Sequence, residues 1–202
     1  MNPILTCKYG TNADLFPDIM KVYAEPGDVI LDMTYGRGVF WSNIEKGKYT
    51  LIENDKDKKK GQLSADLRAM PFAEETFDVV IMDPPYVFGA GGKDMLDKQY
   101  GNNEYRKQGS PGPDAVVELF RSGISEANRL LKNDGILIVK CMDFISGGKQ
   151  QRISIRVLEE AIDRGLTDED LFVLHQSGNP IMRHNYQLHA RKNHSYFWVF
   201  RK

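Results

Sequence analysis

Phe77-Asp78-Val79-Val80-Ile81-Met82-Asp83-Pro84-Pro85-Tyr86 is the stretch on which the rest of the chain can be ordered. Five of its first six residues are apolar, three of them β-branched, and a Pro-Pro breaker bounds the run, so it reads as a short buried strand. In open α/β sheets, ligands bind at the carboxyl ends of the strands. Here that end carries Asp83, Pro84, Pro85 and Tyr86. Asp83 offers a carboxylate and Pro84 a backbone carbonyl. The prolines have a fixed φ and no N–H, which locks the turn. Tyr86 offers a face on which a ring can stack. Together they suit a planar ring bearing an amino group. Such a nitrogen is a poor nucleophile because its lone pair is delocalised into the ring. Two acceptors on its N–H groups draw it toward a tetrahedral, more nucleophilic geometry, as preorganised electrostatics does at a developing charge. A strand-ending turn with a surface Tyr is the plainer alternative.

Working outward, strands and helices alternate. A helix is expected over 12–23, with Thr11 or Asn12 as its cap, and a strand over 29–33 after the turn Pro26-Gly27-Asp28. A tight loop, Tyr35-Gly36-Arg37-Gly38, then leads into a helix over 39–44. Further strands are expected over 48–52, 77–82, 136–141, 171–175 and 196–200, and a short strand or loop over 63–66. The apolar spacing of Val116, Leu119, Phe120, Ile124, Ala127 and Leu131 predicts a helix over 115–131, and another is expected over 153–164. This alternation predicts an α/β fold with a doubly wound, mostly parallel sheet. At 202 residues a single domain, 1–202, is the expectation. Residues 87–114 are long, Gly-rich and aperiodic, which marks a lid or recognition loop.

Asp32-Met33-Thr34-Tyr35-Gly36-Arg37-Gly38 follows the first strand, and its glycines let backbone approach a ligand. The full three-glycine dinucleotide fingerprint is missing. A zwitterionic methionyl group fits better: Asp32 can meet an ammonium while backbone N–H groups meet a carboxylate. The next strand ends in Glu53-Asn54-Asp55, and an acid there suits a ribose diol. Either Glu53 or Asp55 can serve, and the preference falls on Asp55. Two solvated acids beside a lysine run are the plainer alternative. Asp66 suits the amino group of an adenine, with Leu67 against the ring; an exposed loop acid preceding Arg68 is its plainer alternative.

The formal net charge of −1 excludes a global polycation, so any nucleic-acid footprint is local. Arg183, His184, Arg191, Lys192 and His194, with Lys93, Lys98, Arg106 and Lys107, are candidates for phosphate contact, set against ordinary solvated surface. No apolar run is long enough to span a membrane. Cys7 and Cys141 read as free thiols. Cys141 ends a strand away from the prolines, so nothing assigns it as a nucleophile. The four histidines have no cysteine pair nearby, and no metal site is expected. Trp41 and Trp198 read as packing residues. Lys140 has no assigned role.

An acid and glycine loop after the first strand, an acid after the second, Asp66 after the third and Asp83-Pro84-Pro85-Tyr86 after the fourth come in a telling order. In that order the chain resembles the S-adenosylmethionine-dependent amino-methyltransferases. More narrowly it looks like the DNA adenine-N6/cytosine-N4 methyltransferases that carry a DPPY motif, including small phage and bacterial forms. The segment from His189 to Lys202 resembles the closing strand of that family. The resemblance implies a Rossmann-like, seven-stranded sheet with its last strand antiparallel, and S-adenosyl-L-methionine as cofactor. It places cofactor binding on Asp32, Thr34, Gly36 and Gly38, with Glu53 or Asp55 on the ribose and Asp66 and Leu67 on the adenine. Asp83, Pro84, Pro85 and Tyr86 then bind and activate the target base, most simply adenine N6 in DNA, flipped from the stack. Methyl transfer is direct, with no covalent intermediate. Thr34-Tyr35 departs from the small or Pro-containing stretch frequent in this loop. No separate recognition domain is visible, so specificity is low, or comes from residues 87–114, or from a homodimer or partner. A cytoplasmic location in a bacterium, or a phage-encoded role in a bacterial host, is the matching expectation. RNA or a protein amide is the alternative substrate, and a non-catalytic cofactor-binding accessory protein is the alternative of another class.

Overall fold

The computed structural model describes residues 3–45, 47–85, 113–176 and 188–202. Tyr86, the rest of the 87–114 loop up to Gly112, and Arg183 and His184 therefore lie outside the described residues, as do Lys93, Lys98, Arg106 and Lys107.

The strands are β1 (Cys7–Gly10), β2 (Val29–Asp32), β3 (Thr50–Glu53), β4 (Phe77–Met82), β5 (Leu131–Cys141), β6 (Phe144–Ser146), β7 (Lys149–Gln151), β8 (Thr167–Gln176) and β9 (His194–Arg201). The helices are α1 (Asn12–Tyr23), α2 (Pro113–Leu130) and α3 (Ile153–Ile162). Seven strands form one sheet in the order β1-β8-β9-β5-β4-β2-β3, while β6 and β7 make a separate hairpin. Strand β9 runs antiparallel between β5 and β8, and the other pairs are parallel. The expected α/β sheet with an antiparallel last strand is thus present.

Residues 63–66, expected as a short strand or loop, are loop, with Leu63 making an isolated bridge to Asn54. Three expectations need correction. The seventh strand is instead β1, at the opposite edge. Its four residues alternate exposed and half-buried, too short a pattern to stand out in sequence. The expected helix over 39–44 is a single 3-10 turn, Val39–Trp41. Strand β5 begins at Leu131, with the turn at Asn133-Asp134-Gly135 carried inside it. The register jumps from Phe77↔Leu131 to Val79↔Ile136, and Asp134 takes a φ of 63°.

Side-chain alternation along the strands builds two cores. Leu31, Val80, Met82, Leu137 and Val139 face α2 and α3. Ile30, Val79, Ile81, Ile136 and Ile138 face α1 and the 3-10 turn. Helix α1 starts where the Asp14 carboxylate accepts both the N–H and the hydroxyl of Thr11, at 2.8 and 2.7 Å. That arrangement satisfies a donor the helix start would otherwise leave open. From α1, fully buried Phe16 stacks on Phe40 with centroids 4.8 Å apart and meets Trp41 and Phe197 edge-on or tilted at 5.4 and 6.4 Å. These aromatic rings support the site described next. Phe16→Ala is expected to cost about 3–5 kcal/mol, the cost of emptying a large buried aromatic position. Urea unfolding checks this, and a loss under 1 kcal/mol would contradict the packing.

Candidate active site

Strand β2 leads to β3 on one side while its other neighbour, β4, leads to β5 on the other, so the two connections diverge and open a crevice at the carboxyl ends. The register pairs Asp32 with Ile81 on one side and with Glu53 on the other. Asp32, Glu53 and Asp83 therefore share one edge.

Asp32 is 2% exposed. Its carboxylate accepts the Thr34 N–H at 3.0 Å and the Trp41 indole N–H at 2.8 Å. Burial pushes its pKa up to about 7, against those two hydrogen bonds, while the charges of Asp83 and Asp55 push it the same way as burial. A carboxylate removed from water in this manner gains from a cationic ligand. Trp41 does pack, as its sequence suggested, and also braces Asp32.

The loop after β2 turns through Gly36 (φ 60°) and Gly38 (φ 67°). A Cβ on Gly38 would stand 2.5 Å from the Tyr35 hydroxyl, so a side chain there meets both an unfavourable φ and the Tyr35 ring. The Tyr35 hydroxyl bonds to Glu53, and burial together with that bond raises its pKa. Asp55 braces the loop from the other side. One of its oxygens accepts the Gly36 N–H at 2.9 Å and the other the Asp57 N–H at 2.8 Å. Between these acids, fully buried Asn54 donates to the carbonyls of Met33 (2.9 Å) and Ala65 (3.2 Å) and accepts the Ala65 N–H at 2.8 Å. Asn54 joins the loop after β2 to the segment before Asp66. The sequence offers no signal for this, because an Asn between two acids reads as surface.

Asp66 is half-buried and forms a two-pronged pair with Arg68, at 2.9 and 2.6 Å. The Arg68 side chain, chiefly through these bonds, holds its pKa down to about 2. Leu67 packs against the α2 side of the core.

After β4, the Asp83 N–H donates to the Thr34 hydroxyl at 2.7 Å, which ties the Asp-Pro-Pro turn to the glycine loop. Pro84 is buried and Pro85 half-buried. One Asp83 oxygen, Oδ2, accepts from Lys140 Nζ at 2.9 Å. The other, Oδ1, is buried and has no hydrogen-bond partner among the described residues. A buried acceptor left open is uncommon and asks for a donor. Lys140 itself is 4% exposed, with Nζ 5.8 Å and 5.9 Å from the ring centroids of Phe40 and Phe197. Its sequence signal was the alternation Ile136, Ile138, Lys140, which puts a cation on an apolar face. The thiol of Cys141 is pushed well up by burial, which leaves it unsuited to attack.

Among the described residues, no group of three His, Cys, Asp or Glu side chains is placed to hold a metal, and no helix is long and apolar enough to cross a membrane. His194 bonds to the Tyr196 hydroxyl at 2.9 Å, and Arg191 is exposed. The Trp198 indole is packed in the core, stacked on Phe200.

No family model and no curated protein matches the sequence. Solved structures do match the fold. TrmN from Thermus thermophilus superposes with a TM-score of 0.58 at 16% identity, over 93% of this chain and 48% of that one, so the chain spans about half the TrmN length. A putative methyltransferase from Bacillus halodurans gives 0.57 at 14% identity, over 92% and 97% of the two chains. The 1,6-didemethyltoxoflavin-N1-methyltransferase of Burkholderia thailandensis, solved with S-adenosylhomocysteine, gives 0.55 at 13% identity, over 95% and 77%. The fold is therefore the Rossmann-like fold of S-adenosylmethionine-dependent methyltransferases.

Proposed function

We propose that this chain is an S-adenosylmethionine-dependent methyltransferase acting on the exocyclic amine of a nucleic-acid base, adenine N6 in DNA. The observation that carries this reading is the open, buried Oδ1 of Asp83 at the head of the Asp-Pro-Pro turn.

The chain's residues fit the cofactor. Asp32, a buried carboxylate with a raised pKa, takes an ammonium. Both Asp55 oxygens are engaged by backbone N–H groups, so the ribose falls to Glu53, which already accepts a hydroxyl, that of Tyr35. Glu53 and Asp32 are cross-strand partners, so one ligand reaches both. Asp66 and Leu67 take the adenine end, with Asp66 exchanging its bond to Arg68 for the amino group. When bound, the cofactor supplies an electrophilic methyl group on a sulfonium.

The remaining work belongs to the chain. Asp83 Oδ1 accepts one N–H of the target amine and the Pro84 carbonyl the other, and Tyr86 stacks against the ring. The nitrogen lone pair would form the new N–C bond as the methyl–sulfur bond breaks, with that bond's electron pair staying on sulfur as a neutral thioether, and the surplus proton on nitrogen would leave through Asp83 Oδ1 to water. Positioning supplies most of the acceleration.

Incubation with methyl-labelled S-adenosylmethionine and unmethylated genomic DNA, with total RNA in parallel, tests this after digestion to nucleosides. Labelled N6-methyladenine from DNA is expected. Label confined to RNA would keep the chemistry and replace the substrate, and no label in either would overturn the reading.

A further inference from the structure

We infer that Lys140 is a positioning residue for the amine-activating carboxylate: it fixes Asp83 so that Oδ1 alone faces the target nitrogen. The inference rests on the methyltransferase reading and adds to it a residue outside the Asp-Pro-Pro-Tyr turn.

The geometry begins in the sheet. The last register pair of β4 and β5 is Met82↔Val139, so the next residues, Asp83 and Lys140, continue the same cross-strand row. Both follow the alternation that faces α1: Val79 and Ile81 before Asp83, Ile136 and Ile138 before Lys140. A four-carbon stem at this position runs through apolar surroundings and delivers its ammonium to the sheet edge. Phe40 and Phe197 border that ammonium, with centroids 5.8 and 5.9 Å away, close enough for their rings to favour the cation. The ammonium ends 2.9 Å from Asp83 Oδ2. Backbone contributes the second restraint, the Asp83 N–H to Thr34 Oγ1 bond.

An ion pair with a side chain as buried as Lys140, 5% exposed, is a weak source of stability, because desolvation offsets the attraction. What it does supply is orientation. A carboxylate held at one oxygen cannot rotate freely, and its other oxygen keeps one direction. Among the described residues that other oxygen has no hydrogen-bond partner. Lys140 thus turns a two-oxygen acceptor into a single directed one. The site then admits a planar amine in one orientation, with its second N–H left for the Pro84 carbonyl.

The test is a cycle of Lys140→Met, Asp83→Ala and the double variant, with Lys140→Arg as the conservative exchange. For each, kcat and KM are measured on the nucleic acid that the wild type labels, S-adenosylhomocysteine binding by calorimetry, and stability by urea unfolding. Lys140→Met is expected to lower kcat about 100-fold, the penalty typical of a misplaced reacting group, with KM little changed. S-adenosylhomocysteine affinity should stay within about twofold, since the inferred role of Lys140 is exerted at Asp83, on the turn after β4. Lys140→Arg should recover part of the loss. In the Asp83→Ala background Lys140→Met should add nothing, because Lys140 acts through Asp83. Losses that add, or a Lys140→Met kcat within threefold of wild type, would overturn the inference while leaving the methyltransferase reading intact. An inactive wild type would overturn both. If Lys140→Met fails to fold, Lys140→Arg and Lys140→Gln carry the same comparison.

Discussion

Asp83→Ala is expected to lower methyl transfer by roughly 10²–10³-fold, the loss seen when one preorganised electrostatic contact is removed from a reacting centre. S-adenosylhomocysteine should bind nearly as before. The reasoning is local. Asp83 sits after β4, whereas the ammonium and ribose candidates are the last residues of β2 and β3. Two links join them: the Asp83 N–H to Thr34 bond, which belongs to backbone and survives any side-chain change, and the Asp83 charge, whose loss lets Asp32 ionise more readily and so does not weaken its hold on an ammonium. The substitution does strip Lys140 of its carboxylate, and a buried cation that loses its partner costs stability. Asp83→Asn separates the two effects. Its amide oxygen can still accept from Lys140, so folding is preserved. Its NH₂ group then stands where the open Oδ1 stood and presents donors to a donor. Loss of turnover in both variants, with the melting temperature of Asp83→Asn within a few degrees of wild type, is the expected result. Turnover within threefold of wild type in either would remove Asp83 from the reaction.

Some of this molecule was open to a reader of the sequence, for identifiable reasons. Strand β4 matches its expected bounds because Phe77 to Met82 is one mostly apolar run stopped by two prolines. Helix α1 matches because Thr11 and Asp14 signal its start. The mostly parallel sheet follows from the alternation of strands and helices. Legibility fades where a residue's role depends on its neighbour in space. Trp41 is nine residues from the carboxylate it braces, and Lys140 is 57 residues from Asp83. Glu53 and Asp55 are both acids at one strand end, and sequence favoured Asp55. The proposed preference for Glu53 rests on the hydrogen bonds that Asp55 makes to Gly36 and Asp57, and no pattern of residue types encodes them. Hairpin β6–β7 gave no alternating apolar signal because its residues are half-buried or exposed. Its turn, Gly147-Gly148, was the available clue: both glycines take positive φ, as two-residue hairpins require.

Cofactor affinity should depend on pH in a window set by Asp32. In water an Asp titrates near 3.8, whereas burial raises Asp32 to about 7. Between these values the folded, ligand-free protein holds a proton that the unfolded chain releases. By linkage, this group's contribution makes the ligand-free protein less stable as pH rises through the window, and the contribution levels off above about 7. An ammonium ligand reverses the preference, because it interacts with the ionised carboxylate. Over pH 5 to 7 the ligand's own amine stays protonated and its carboxylate ionised. Binding therefore tracks the ionised fraction of Asp32, and affinity for S-adenosylhomocysteine is expected to rise about 50-fold from pH 5 to pH 7. Above pH 7 the curve should flatten. Proton uptake measured by calorimetry in buffers of different ionisation enthalpy gives the sign directly: binding near pH 6 should release close to one proton. Asp32→Asn should bind weakly at every pH and lose the slope; its single amide oxygen can keep only one of the Thr34 and Trp41 N–H bonds, which Asp32 accepts on different oxygens. A wild-type affinity that is flat between pH 5 and 7 would mean that Asp32 does not hold the ammonium. Its burial would then serve only to brace the loop through Thr34 and Trp41.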